Sequence, residues 1–153
     1  IPSGEELELL AGRYRLGIAT GRPRMEAEHA LERFGLTRLF PVMVSEDDVT
    51  REEARRRERL RKPHPYSLQT CMRRCGLSSG GEGAGRSAYV GDMPDDMVVA
   101  RRAGVLPVGF VNERADESPQ EREEHRTILQ RHGAALVVGT FRELIRCLEK
   151  RWP

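Results

Sequence analysis

Asp92 and Asp96 stand four residues apart in the run Ala88-Tyr89-Val90-Gly91-Asp92-Met93-Pro94-Asp95-Asp96-Met97, directly behind a short β-branched and aromatic stretch that ends at a glycine. The pattern reads as a buried strand that hands its acids to a loop, followed by a helix from Met97 through Ala103 to a stop at Gly104. Carboxylates at the carboxyl end of a parallel strand lie where open α/β sheets bind ligands, and clustered oxygens there suit a hard cation such as Mg²⁺. The chemistry to expect therefore joins a divalent metal to a phosphate. Asp92 alone has a plainer reading as the cap of the helix that follows. Capping does not account for Asp92, Asp95 and Asp96 together, because like charges crowded on one short loop repel unless a cation or a basic group offsets them.

Two further places supply what a phosphate needs. Thr20-Gly21-Arg22 follows an apolar stretch, and Lys62-Pro63 precedes a helical pattern. The Thr20 hydroxyl and the Gly21 amide can donate hydrogen bonds to phosphate oxygens, and Lys62 supplies a compact positive charge. Thr-Gly after a strand is also a common turn, so this pair carries weight only beside the others. Lys62 is one of two lysines, with Lys150, among 26 basic side chains, which suggests a position where a point charge fits and a planar guanidinium does not. A hydroxyl, an ammonium and two carboxylates are expected to meet at one sheet edge.

The elements that must position these groups alternate. Helices are expected over residues 5–13, 25–34, 66–75, 97–103, 121–131 and 141–150, with strands over 14–20, 42–44, 88–90, 106–111 and 136–138. Such alternation implies an α/β fold with a parallel sheet and helices on both faces. Two stretches interrupt it. Residues 47–61 form a charged insert with mixed signs and no interleaved aromatic, which favours a solvated helix or a mobile insert over a nucleic-acid patch. Residues 78–85 form a Gly/Ser-rich loop.

At 153 residues the chain fits a single domain, and a formal charge of +2 gives no global field that would gather nucleic acid or an anionic membrane. No apolar run approaches the roughly 20 residues needed to span a bilayer, and the first residues lack the character of a signal peptide, so a cytoplasmic protein is expected. The cysteines, Cys71, Cys75 and Cys147, are odd in number, which disfavours a disulfide framework. Cys71 and Cys75 share a helix face with His64 nearby, but zinc needs four ligands and the usual spacing is absent, so packing or surface thiols are the better reading.

At these residues the sequence resembles the haloacid dehalogenase-like hydrolase superfamily, most closely its phosphoglycolate-phosphatase-like branch. Leu16-Gly17-Ile18-Ala19-Thr20-Gly21-Arg22-Pro23 is similar to the second family motif, Lys62-Pro63-His64-Pro65 to the third, and Tyr89-Val90-Gly91-Asp92-Met93-Pro94-Asp95-Asp96 to the fourth. The resemblance implies a Rossmann-like core with Thr20 and Lys62 at the phosphate and Asp92 and Asp96 at Mg²⁺. It further implies a phosphomonoester phosphatase that acts on a small phosphorylated metabolite through an aspartyl-phosphate. The first motif, an Asp-x-Asp that carries the nucleophile and the general acid/base, has no counterpart before Leu16, and the chain opens at Ile1. Residues 1–153 are therefore expected to be a partial core domain, with nucleophile and cap outside this chain. A non-catalytic phosphate- or metal-binding domain that has lost its nucleophile is the alternative. A dinucleotide-binding domain is disfavoured, because no Gly-x-Gly-x-x-Gly follows a strand. Homo-oligomerisation stays open.

In that family the missing first strand lies between those expected at residues 14–20 and 88–90, so its absence leaves two strand edges without partners. Each unsatisfied buried backbone group costs about 1–3 kcal/mol, against a domain stability of about 5–15 kcal/mol. The isolated 153-residue chain is accordingly expected to unfold without a sharp transition; a cooperative two-state urea curve, superimposable by circular dichroism and fluorescence, contradicts this.

Overall fold

Helices and parallel strands alternate through the chain, whose computed structural model describes residues 4–77, 81–112 and 117–152. Two compact units are present, Ile1–Ser79 and Gly80–Pro153.

The first unit contains α1 (Gly4–Arg13), β1 (Gly17–Ala19), α2 (Arg24–Arg33), a 3₁₀ turn (Thr37–Leu39), β2 (Val42–Val44), α3 (Glu46–Arg56) and α4 (Tyr66–Arg74). β1 and β2 pair in parallel with Ile18 opposite Met43. β1 is shorter than the strand expected over residues 14–20, since only the part facing β2 makes a ladder. α4 packs on both strands, and its thiols form a core with Val44, Ala19 and Val42. A Cβ at Gly17 would lie 2.8 Å from the Cys71 sulfur and 3.2 Å from that of Cys75, so only glycine lets the helix approach this closely. Burial, with the neighbouring Cys75, pushes the Cys71 thiol up to about 12. These cysteines are packing groups.

The second unit contains α5 (Glu82–Gly85), β3 (Ala88–Gly91), α6 (Pro94–Ala103), β4 (Leu106–Phe110), α7 (Pro119–Arg131), β5 (Leu136–Val138) and α8 (Phe141–Arg151). Its parallel sheet has the order β3-β4-β5, with Val90 opposite Val108 and Gly109 opposite Val137. α6 packs on β3 and β4, α7 on β4 and β5, and α8 on β5. Met97, Val111 and Leu129 form the centre of one core cluster, each at most 2% exposed. Of the expected Gly/Ser-rich loop, residues 78–80 lie outside the described residues, and residues 82–85 form the short helix α5. α6 begins three residues earlier than expected, so Asp95 and Asp96 belong to its first turn rather than to a loop. Among the described residues no helix is long and apolar enough to cross a membrane.

The charged stretch 47–61 begins as a regular helix, α3, and its first turn carries the hub of the first unit. Ser45 is fully buried, and its amide and hydroxyl donate to Asp48 Oδ2 at 2.9 and 3.0 Å. The same oxygen accepts from Arg24 Nη2 at 2.8 Å, and Asp48 Oδ1 accepts from Arg74 Nη2 at 3.2 Å. Both arginines also reach the Met43 carbonyl, at 3.3 and 3.1 Å. One carboxylate thus joins the start of α2, the end of β2, the start of α3 and the end of α4. Burial pushes the Asp48 carboxyl up, but hydrogen bonds from Ser45, Arg24 and Arg74 outweigh it and hold the group at about 2, below its ordinary 3.8. A carboxyl depressed by folding stabilises the fold above its unfolded value, and the contribution disappears as pH falls through the folded one. The stability difference between the wild type and Asp48→Asn is therefore expected to shrink as pH falls from 3.8 toward about 2; urea denaturation across that range checks it, and a gap that stays constant refutes it.

Candidate active site

In the first unit the groups expected at a phosphate sit where β1 ends and where the chain approaches α4. Thr20 N donates to Val44 O at 2.9 Å, which carries the parallel register one residue beyond the strand. Thr20 Oγ1 accepts from the Arg22 amide at 3.1 Å. A hydroxyl that accepts inside its own turn keeps its hydrogen for an outside acceptor. A Cβ at Gly21 would meet nothing within 4 Å, so space beside this exposed amide is open. Arg24 is committed to structure: besides Asp48 and Met43 it bonds Glu28 at 3.2 Å, and its amide donates to Asp47 Oδ2 at 2.6 Å. The Arg22 side chain is highly exposed, with its guanidinium 4.0 Å from Glu26.

Lys62 is half-buried and precedes Pro63 through a cis peptide. His64 bridges this segment to the helix: its amide donates to Arg61 O at 3.0 Å, and its Nδ1 accepts from the Tyr66 amide at 3.1 Å. The end of α4 lies by the start of β1, because Cys75 O accepts from Arg15 Nη1 at 2.6 Å and Gly17 faces Cys71 and Cys75.

In the second unit the two expected metal ligands differ sharply. Asp92, just past β3, is exposed, and its backbone oxygen is 2.7 Å from His125 Nε2 on α7. Asp96 is 5% exposed. Its Oδ2 accepts from the Met93 amide at 3.2 Å and its Oδ1 from the Tyr89 hydroxyl at 3.3 Å. The capping job considered for Asp92 thus belongs to Asp96, three positions inside a helix whose N-cap is Met93. Part of the acid cluster is explained by the helix, whose amino end favours Asp95 and Asp96 in its first turn. Asp92 stands outside that explanation.

A model of the haloacid dehalogenase-like hydrolase family matches residues 5–110. The chain belongs to the haloacid dehalogenase-like hydrolase family. It is 32% identical over 106 residues to the “Probable phosphatase IndB” of Dickeya dadantii, covering 69% of this chain and 40% of that one. It is 27% identical over 103 residues to the phosphoglycolate phosphatase of Yersinia pestis, covering 67% of this chain and 38% of that one. The crystal structure of a haloacid dehalogenase phosphatase from Thermococcus onnurineus superposes with a TM-score of 0.67 at 25% identity, covering 97% of this chain and 57% of the other. The chain spans about 40% of the length of these curated relatives.

The acids of this haloacid dehalogenase-like chain fit a hard cation. Both offer oxygen, and a Cβ at Gly91 would lie 2.5 Å from the Asp96 Cβ and Cγ, so a glycine is required where the Asp96 side chain folds against the strand end. Among the described residues no group of three or more His, Cys, Asp or Glu side chains is placed to hold a metal ion by itself. Two carboxylates are nonetheless a normal protein share for Mg²⁺, which keeps waters and takes substrate phosphate as further ligands. Three supporting residues escaped the sequence reading: Asp48, Tyr89 and His125. The Ser45-x-x-Asp48 spacing of a capping box could have disclosed the first; the Tyr89 contact crosses from strand to helix within seven residues, and the His125 contact spans 33 residues that no local pattern encodes. Gly91→Ala is expected to displace Asp96 and to cost about 1–3 kcal/mol, the usual range for overpacking; denaturant unfolding measures it, and an unchanged midpoint contradicts the crowding.

Proposed function

We propose that this haloacid dehalogenase-like chain is the core-domain part of a Mg²⁺-dependent phosphatase that hydrolyses a small phosphorylated metabolite. One observation carries the reading: an exposed carboxylate, Asp92, directly follows a parallel strand and stands four residues before a buried and oriented one, Asp96. Helix capping uses the second and leaves the first for another purpose. The relatives named as phosphatases support phosphate as the group recognised.

In this reading Thr20 donates its hydroxyl hydrogen to a phosphate oxygen, the Gly21 amide offers a second donor, and the Lys62 ammonium offsets phosphate charge. Asp92 and Asp96 would hold the cation, with Tyr89 and the Met93 amide fixing the Asp96 carboxylate. Bound Mg²⁺ would supply charge neutralisation at the phosphoryl group. Phosphoryl transfer depends chiefly on such positioning and electrostatics. The attacking aspartate and the general acid are proposed to come from outside these 153 residues, since residues 1–15 contain no aspartate. A cytoplasmic setting agrees with Cys71, Cys75 and Cys147 all being free thiols.

The intact protein assayed against a panel of phosphomonoesters is expected to release phosphate only with Mg²⁺ present. Lys62→Ala and Asp92→Asn are each expected to lower kcat/KM by about 10²–10³, the scale of losing one transition-state charge contact. Binding of phosphate and Mg²⁺ without turnover would instead assign the non-catalytic role.

A further inference from the structure

The charged stretch beyond α3 is tied back to that helix, and Glu53 is the side chain that takes its backbone amides. Arg57, which closes the helix, is left-handed at φ 57° and ψ 38°, so the chain turns back at this point. Leu60 then enters the core at 1% exposure. Glu53, on the last full turn of α3, reaches forward to meet this returning segment. Its Oε1 accepts from the Leu60 amide at 2.8 Å and from the Arg61 amide at 3.0 Å, and its Oε2 accepts from Arg61 Nε at 3.2 Å. Arg61 is further fixed to α3 by Glu46 at 3.3 Å and Thr50 Oγ1 at 3.2 Å. On its other side the Arg61 carbonyl accepts from the His64 amide. Lys62 and Pro63 are the two residues enclosed between Arg61 and His64.

We propose that Glu53 is a positioning residue for Lys62: by gathering the Leu60 and Arg61 amides on one carboxylate, it fixes the backbone from which the phosphate-binding ammonium projects. The proposal rests on the reading of Lys62 as a phosphate ligand. A lysine must give up rotamer freedom to place its charge even on a rigid backbone, so a mobile attachment point adds directly to that cost. Two backbone amides converging on one carboxylate are charge-assisted hydrogen bonds, which is why the Glu53 carboxyl is held below its ordinary value, the Leu60 amide being the foremost cause. No other acceptor is needed for either amide. An insert that reads in sequence as solvated charge therefore acts as a brace for the site.

The test is inorganic phosphate binding to the intact protein, measured by isothermal titration calorimetry for the wild type, Lys62→Ala, Glu53→Ala and the double variant. Glu53→Ala is expected to weaken phosphate about tenfold and to weaken it by less than about twofold when Lys62 is already alanine, because the two residues act as a unit. Simple loss of stability would lower affinity equally in both backgrounds, so additive effects overturn the proposal. Should Glu53→Ala fail to fold, Glu53→Asp keeps the charge and falls one methylene short of the amides, and the same loss and the same non-additivity with Lys62→Ala are expected. Phosphate affinity unchanged in Lys62→Ala would refute the reading of the lysine and the proposal with it. Affinity lost in Lys62→Ala but retained in the Glu53 variants would refute the positioning role alone.

Discussion

The Asp48 carboxylate is the point on which the first unit turns. Four hydrogen bonds converge on it from a buried serine and two arginines, and those arginines also close on the Met43 carbonyl. A partly buried anion is tolerable only when its lone pairs are used this fully, and removal of any partner leaves charge in a poorly solvated place. The arrangement fixes the end of β2 relative to the helices around it. Because Thr20 takes its register from Val44 and the Glu46 amide donates to Arg22 O at 3.0 Å, the loop that bears the candidate phosphate groups inherits its position from the same hub.

The second unit meets a comparable demand differently. Asp96 is buried, caps the start of α6, accepts from Tyr89, and is proposed to hold a cation. The first two tasks orient the carboxylate before any ligand arrives, which lowers the cost of organising a site. Gly91 is the complementary concession: the strand gives up a side chain so that the acid can lie against its end. Asp92 has the opposite character, exposed and set by its backbone, with His125 at its carbonyl. In the proposed role, an accessible carboxylate followed by a rigid one would suit a cation that keeps part of its water shell.

Both sheets are small and parallel, and β1 and β3 each stand at the edge of their own sheet. Parallel strands are normally covered and paired on both sides, so parallel sheets of two and three short strands are marginal units by themselves. Their stability rests heavily on the helices packed against them, which is why close contacts such as Gly17 against the α4 thiols matter more here than in a wide sheet. The same close packing keeps Cys71 protonated and chemically quiet.

The sequence by itself determined the alternation of helix and strand, the parallel pairing that alternation requires, and the identity of the family through three spaced motifs. Strand positions at 42–44 and 136–138 were legible to the residue, because short apolar runs bounded by turn residues leave few alternatives. The start of α6 was not legible, since Pro94 and two acids read equally as loop or as first turn until the Met93 amide is seen on Asp96. The division of labour between Asp92 and Asp96, the commitment of Arg24 to Asp48, and the grip of Glu53 on the segment before Lys62 were decided only by tertiary structure. Spacing along a chain fixes which residues can share an element; burial and the competition of distant donors for one carboxylate depend on how elements pack, and no local pattern records that.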